Sequence, residues 1–385
     1  MPCYGALTVT VNAPLRENDL TEAAVAWLRE RLPRAWSVEA SRQNADGTTA
    51  GWGGPDGTIV INAHGFLATL AVEAKRSLGP RDVAGLFGSV GQKLRALSPN
   101  VPILVVAPWL SPRTRELLSA EDVNYIDLTG NAQVRLDAPA LFIVAQGADR
   151  DPTPTPRGRA RVRGPKAFRL IRTLIDVKPP YGVRELADAT RLAPGYVSRL
   201  LDALDDDVLV GRSKRGGVES VDIENLLRRW TENYDVFKSN DATPYLAPRG
   251  VRAPLARVAG ASGIGRVAVT GSFAAARLAP VAAPALLALY VEKPTAVADG
   301  LDLIAADQGA NVVLLRPFDS VVWERIVESN GVRYVAPSQA AADCLTGNGR
   351  MPAEGEALTQ WLLANEADWR SEGLDEPEGG KGGAG

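Results

Sequence analysis

The stretch VRELADATRLAPGYVSRLLDALDDDVLVGRSKRGGVESVDI, residues 183–223, changes its hydrophobic period part-way along. Up to Asp207 the apolar residues recur at helical spacing, and beyond it they alternate as in strands. Val197, Leu200, Leu201 and Leu204 fall at i, i+3, i+4 and i+7 and form one buried stripe, which leaves Gly195, Tyr196, Ser198 and Arg199 on the outer face. Pro194 suits the first turn of that helix, where its missing N–H costs nothing. A further helical pattern, KAFRLIRTLIDVK, precedes the stretch, and Leu192 and Ala193 form the short turn between its two helices. The strands VLVGR and VESVDI flank the tip SKRGG.

Three helices followed by a two-stranded wing are the winged variant of helix-turn-helix, in which the last helix enters the major groove and offers its N-terminal side chains to base edges. Here those are Tyr196, Ser198 and Arg199, while Arg212, Lys214 and Arg215 of the wing are expected to meet phosphates. Arg161, Arg163 and Lys166 lead into the first helix as further phosphate contacts. Residues 157–172 hold six Arg and one Lys with no acidic residue. Winged helices also act as protein-binding modules, but a concentrated basic stretch in a chain of net charge −2 favours a phosphate reader. The next helix, IENLLRRWTENYDVF, sets Leu226, Leu227, Trp230, Tyr234 and Phe237 on one side, for core or dimer packing.

A chain of 385 residues, 45% hydrophobic, can bury more than one core, and its composition shifts divide it. Residues 1–150 read as an α/β domain, 151–164 as an extended Pro/Arg linker, 165–240 as the winged helix, 241–365 as a second α/β domain and 366–385 as a disordered, Gly-rich tail. Two distant cysteines, Cys3 and Cys344, and the single His64 exclude a zinc site and a disulfide framework. No basic n-region precedes an apolar run, and APVAAPALLALYV is too short and Pro-broken to span a bilayer, so a cytoplasmic protein without membrane contact is expected.

In the first domain TIVINAHGFLATLAVEA reads as two strands around a His64-Gly65 turn. Alternation turns Glu73 and Lys75 to one side and Leu70, Val72 and Ala74 to the core. This strand order, with Glu-x-Lys at a strand end, resembles the PD-(D/E)xK nucleases, in which such a Glu helps to bind Mg²⁺ and the Lys orients the attacking water. That chemistry also needs an Asp on the preceding strand, since one carboxylate holds a hard ion poorly. The preceding strand offers Asn62, with Asp56 in a turn and Glu22 on the first helix as substitutes, so the expectation is an inactive scaffold. In the last domain VAVTGSFAAARL resembles the strand, Gly271-Ser272 and helix of nucleotidyltransferases, but Leu289 and Val291 stand where metal-binding carboxylates are needed and only Glu292 follows.

The order of VNYIDLTGNAQVRL, LADATRLAPGYVSRLLDAL, VTGSFAAARLAP, ANVVLLRPFDSVVW and VAPSQAAADCLTGNGRMPAEGEAL, over roughly residues 60–360, resembles bacterial regulators allied to the AbiEi antitoxins of type IV toxin-antitoxin systems. Together with the readings above, the expectation is an α/β multidomain protein with a restriction-endonuclease-like domain, which is not part of the simplest antitoxin pattern, a winged helix-turn-helix and a nucleotidyltransferase-like domain. The resemblance implies a DNA-binding repressor with no enzymatic activity, cofactor or metal. Its partners would be double-stranded DNA, a second copy of the chain and a toxin encoded nearby. The alternative from the residues is a Mg²⁺-dependent nuclease using Glu73, Lys75 and Asp56, directed to phage DNA by the winged helix.

Overall fold

The computed structural model describes residues 16–41, 56–86, 101–153, 162–259, 265–306 and 308–374. It is a mixed α/β architecture divided into two compact units, Met1–Arg157 and Gly158–Gly385.

The first unit is built on a seven-stranded sheet whose spatial order follows the sequence, β1 (Ser37–Ser41), β2 (Gly57–Ala63), β3 (Phe66–Ala74), β4 (Ile103–Ala107), β5 (Asn124–Asp127), β6 (Ala132–Leu136) and β7 (Leu141–Ala145). β3, β4 and β5 run parallel and the flanking pairs antiparallel. Parallel neighbours need crossovers, and α2 (Pro80–Leu86) and α3 (Pro112–Ala120) lie in them. Leu118 of α3 packs with Val105, Ala107 and Tyr125 on one face of the sheet. On the other face Leu20, Ala24 and Leu28 of α1 (Glu17–Arg31) pack on Leu70, Val72 and Ala74. α1 carries Glu17 and Asp19 in its first turn and Arg29 and Arg31 in its last, as the helix dipole favours. The expected turn joins β2 to β3. His64 and Gly65 have φ of 53° and 92°, and Asn62 Oδ1 accepts from Gly65 N at 3.0 Å.

The second unit opens with α4 (Pro165–Asp176), α5 (Val183–Thr190), α6 (Pro194–Asp206), the antiparallel pair β8 (Val210–Arg212) and β9 (Val218–Val221), and α7 (Ile223–Thr231). The order matches the sequence reading, and Val197, Leu200, Leu201 and Leu204 are fully buried. The strand starts two residues later than expected because Val208, at φ 55°, turns the chain as α6 ends.

A second seven-stranded sheet follows, in the order β13 (Ile304–Ala305), β10 (Asp241–Leu246), β14 (Val312–Arg316), β12 (Leu287–Val291), β11 (Val267–Thr270), β16 (Val332–Tyr334) and β15 (Val327–Ser329). One face packs with α8 (Arg252–Val258) and α10 (Pro294–Gly300). The other face, with Ala268, Ala288, Tyr290, Val313 and Leu315, shares one core with α11 (Pro337–Leu345), α12 (Met351–Ala364) and the helices α4 and α7. The boundary expected near residue 240 therefore separates two substructures that have a common interior. The segment just after that boundary forms β10, which hydrogen-bonds β13 on one side and β14 on the other despite Pro244. Burial also settles the role of the stripe after the wing as core. Phe168, Trp230, Tyr234 and Phe318 form one aromatic cluster with centroids 5.4–6.3 Å apart.

The tail expected from residue 366 is also corrected. α13 (Glu366–Trp369) leads into a strap in which Arg370 donates from Nε to Ile175 O at 2.9 Å and from Nη2 to Val177 O at 2.8 Å. The carbonyls at the end of a helix lack intrahelical partners, and the strap supplies them. Residues 375–385 lie outside the described residues.

Beneath the aromatic cluster Asp343 is fully buried and accepts from Thr270 Oγ1, from Tyr234 OH at 2.6 Å, from Gln339 Nε2 at 2.8 Å and from Tyr290 OH at 3.2 Å. Burial pushes its pKa up to about 6, and the four donors hold the rise in check. A carboxyl whose folded pKa is raised favours the folded state while protonated, and that contribution is lost as pH rises through the folded value. In urea unfolding between about pH 4 and pH 7, wild type should lose about 3 kcal/mol relative to Asp343→Asn, the size of a shift of roughly two units. Parallel curves for the two proteins would exclude this assignment.

Candidate functional site

The surface with the expected contact residues lies on α6 and the β8–β9 hairpin. Pro194 occupies the first turn of α6, Gly195 and Arg199 are exposed, and Tyr196 and Ser198 are half-buried. The Arg199 side chain lies over Gly195, where a Cβ would meet Arg199 Nη1 at an ordinary contact distance of 3.6 Å. Burial raises the Tyr196 pKa, with Arg199 opposing, so the hydroxyl stays neutral at ordinary pH. At the hairpin tip Gly216, at φ 85°, donates to Ser213 O at 2.9 Å, and Lys214 and Arg215 project into solvent.

Arg212 differs from expectation. Its Nε and Nη2 donate to Gly216 O at 3.1 and 2.7 Å and its Nη1 pairs with Asp202, so it braces the hairpin against α6. The basic stretch before α4 also divides. Arg163 and Lys166 are exposed, whereas Arg169 makes a fork on Asp319 at 3.0 and 2.6 Å and Arg172 is fully buried. Arg161 lies outside the described residues. The far end of α6, with Asp205 and Asp206, is acidic, so the positive charge on this helix is confined to its first half.

The first unit holds the second candidate. Seven ladder pairs counted back from the hairpin turn set Gly57 opposite Val72, which brings Asp56 beside Glu73, while Asn62 lies at the other end, opposite Leu67. The expected lack of an opposing carboxylate, judged from Asn62, is thereby corrected. Asp56 Oδ2 accepts from Ala74 N at 2.9 Å and lies 3.5 Å from Lys75 Nζ, which is 2.7 Å from Glu73 Oε2. That last contact is a close ion pair without the alignment of a hydrogen bond, so the buried Oε2 keeps accepting capacity. Burial raises the Glu73 pKa against the pull of Lys75. Lys75 is itself raised, since Glu73 and Asp56 together outweigh its desolvation.

Two carboxylates with open water positions are a donor set that Mg²⁺ accepts, although no group of three His, Cys, Asp or Glu suited to a metal exists among the described residues. Glu22 is on α1, which covers the opposite sheet face, and does not join the pair.

Two further motifs are structural. Gly271, at φ 61°, and Ser272 are buried, with Met351 Cε 3.1 Å from where a Gly271 Cβ would stand, and Leu289 and Val291 are fully buried. In VNYIDLTGNAQVRL, the buried Asp127 accepts from Thr129 N at 2.9 Å, Asn131 N at 3.0 Å, Leu110 N at 3.1 Å and Asn131 Nδ2 at 2.9 Å. A Cβ on Gly147 would stand 2.2 Å from Thr129 O, so that turn packs directly against backbone.

No protein-family model matches the chain, and no curated protein is significantly similar to it.

The two wing cations should separate in a thermal or urea titration without DNA. Arg212→Ala removes three contacts and should cost about 1 kcal/mol. Lys214→Ala should stay within about 0.5 kcal/mol of wild type. Equal costs would contradict the bracing role of Arg212.

Proposed function

We propose that this protein is a DNA-binding transcriptional regulator, a repressor of the kind allied to AbiEi antitoxins. The observation that carries the reading is the exposed first half of α6, with Arg199 beside Gly195, next to a hairpin whose tip presents Lys214 and Arg215. In this reading residues 165–240 are a winged helix-turn-helix, the first unit is a restriction-endonuclease-like domain and the C-terminal sheet a nucleotidyltransferase-like one. α6 lies in the major groove, where Arg199 offers a guanidinium fork to a guanine edge and Ser198 a hydroxyl to a neighbouring base. Lys214 and Arg215, with Arg163 and Lys166, neutralise phosphates and fix the register. Palindromic operators are read by two-fold dimers, so a second copy is the expected partner, in the cytoplasm, with a toxin encoded nearby as a further one. No helix among the described residues is long and apolar enough to cross a membrane.

A second reading rests on the register that sets Asp56 beside Glu73. In a PD-(D/E)xK-type nuclease these two carboxylates would hold Mg²⁺, which supplies charge neutralisation at the scissile phosphate. Lys75, between them, would orient the attacking water.

One set of binding and cleavage measurements on the upstream DNA distinguishes the readings. Arg199→Ala should weaken operator binding by about 1–3 kcal/mol and affect scrambled DNA much less. Lys214→Ala should weaken both DNAs alike and make the salt slope shallower by about one unit. If wild type binds neither DNA at moderate salt, the regulator reading fails. Mg²⁺ should leave the DNA intact, and cutting that disappears in Asp56→Asn would establish the nuclease reading.

A further inference from the structure

A cleft of about 400 Å³ opens in the second unit between the chain after α9 (Gly271–Ala275), the segment entering β15, and the helices α12 and α13. Small-molecule sites have volumes of roughly 300–1,000 Å³, apolar walls and a few convergent polar groups, and this cleft has both features. Trp361 and Trp369 line it with Leu278 and Ile326, and the polar groups are Arg277, Arg325, Asp176 and Asp368.

Arg277 stacks over the Tyr334 ring at 5.1 Å and makes no ion pair with a described residue. Stacking leaves the guanidinium edge free to donate in its own plane. Arg325, at φ 52°, occupies the left-handed region that a long side chain rarely adopts. Its Nη1 pairs with Asp176 Oδ2 at 3.7 Å and donates to Glu324 Oε2 at 3.4 Å, both at the long end for such contacts. Asp176 is already satisfied by Arg172 Nε at 3.2 Å and by the Ser338 hydroxyl. Burial raises the Glu324 pKa, with Arg172 and Arg325 opposing the rise. Arg277, without a carboxylate partner among the described residues, and Arg325, paired to Asp176 and Glu324, thus line a cleft with two indoles.

We propose that this cleft binds a small aromatic carboxylate, with its carboxylate on Arg277 and Arg325 and its ring against Trp361 and Trp369. A planar guanidinium matches a carboxylate in two parallel bonds, and a flat ring suits indole walls at separations where stacking adds to burial. Asp368 at the rim disfavours a second negative charge, which makes the ligand a monoanion.

The cleft also touches the three-helix segment. Its wall residue Asp176 ends α4, and Ser371 on the opposite side donates from N to Asp176 O at 2.9 Å and accepts from Lys178 N at 2.8 Å. A ligand seated between Trp369 and Arg325 therefore bears on the strap that caps α4. Binding there and DNA binding on α6 are coupled to an equal extent in both directions. This coupling rests on the regulator reading, whereas the site does not.

The test is calorimetric titration of the full chain, without DNA, with indole-3-acetate and phenylacetate, and with tryptamine and inorganic phosphate as controls. The two acids should bind and the controls should not. Arg277→Ala, at an exposed position that folding tolerates, and Trp361→Phe should each weaken the acids, the former by about tenfold. Arg277→Lys should fall between Arg277→Ala and wild type, since it keeps the charge and loses the fork. Absence of binding at millimolar acid, or affinities unchanged in both Arg277→Ala and Trp361→Phe, overturns the site. In a second arm operator affinity is measured with and without saturating acid, and a change of about fivefold or more is expected. Operator affinity unchanged by bound acid overturns the coupling, and a protein that binds acid but no DNA upholds the site while the regulator reading fails.

Discussion

A guanidinium with no access to water must have its donors met by the protein, and Arg172 meets them across most of the second unit. From α4 it reaches Asp176 on its own helix, the carbonyls of Val321 and Glu324 (the latter at 2.5 Å) and Gln339 on α11. Leaving such a charge unpaired in the interior is among the costliest defects a fold can carry. The first helix of the second unit and its C-terminal sheet must therefore form together. Arg169 repeats the linkage with its fork on Asp319, and the Asp343 network extends it to α11, β11 and β12. The segment that resembles an independent DNA-binding module is one side of a larger core.

This dependence explains what the sequence did and did not reveal. The period of α6 and the wing was legible because local burial set it, and Val197, Leu200, Leu201 and Leu204 are buried as their spacing implied. Arg169 and Arg172 read as part of a basic stripe because nothing local distinguishes an arginine facing solvent from one facing a carbonyl 149 residues away. β10 was hidden for a similar reason. Asp and Pro are poor strand formers, and pairing on both sides holds that segment extended. Arg212 lies in the β8–β9 hairpin, and its partners Asp202 on α6 and Gly216 at the tip come from the fold.

The carboxylate pair of the first unit shows the opposite case, in which the information was present and misread. A two-residue hairpin fixes every pair along both strands, so the turn at His64 and Gly65 already implied that Asp56 faces Glu73. Asn62, at the turn end of β2, is removed from Glu73 by the length of the hairpin. What no pattern reveals is the state of the pair, because the close contact of Lys75 with Glu73 depends on burial.

The strap that closes α4 has a consequence for synthesis. Arg370 and its acceptor Ile175 are 195 residues apart, so a ribosome has released the whole of α6 and the wing long before their supporting helix is capped. Until then the carbonyls of Leu174, Ile175 and Val177 lack Arg370, with the Tyr181 hydroxyl alone near two of them, and Arg172 has no Val321 or Glu324 to meet. Domains usually fold as units during translation, but this one cannot complete from its amino-terminal end. The nascent chain therefore carries the contact surface past the ribosome exit in an unfinished state, and the molecule acquires a rigid α4 only when its last helix has docked.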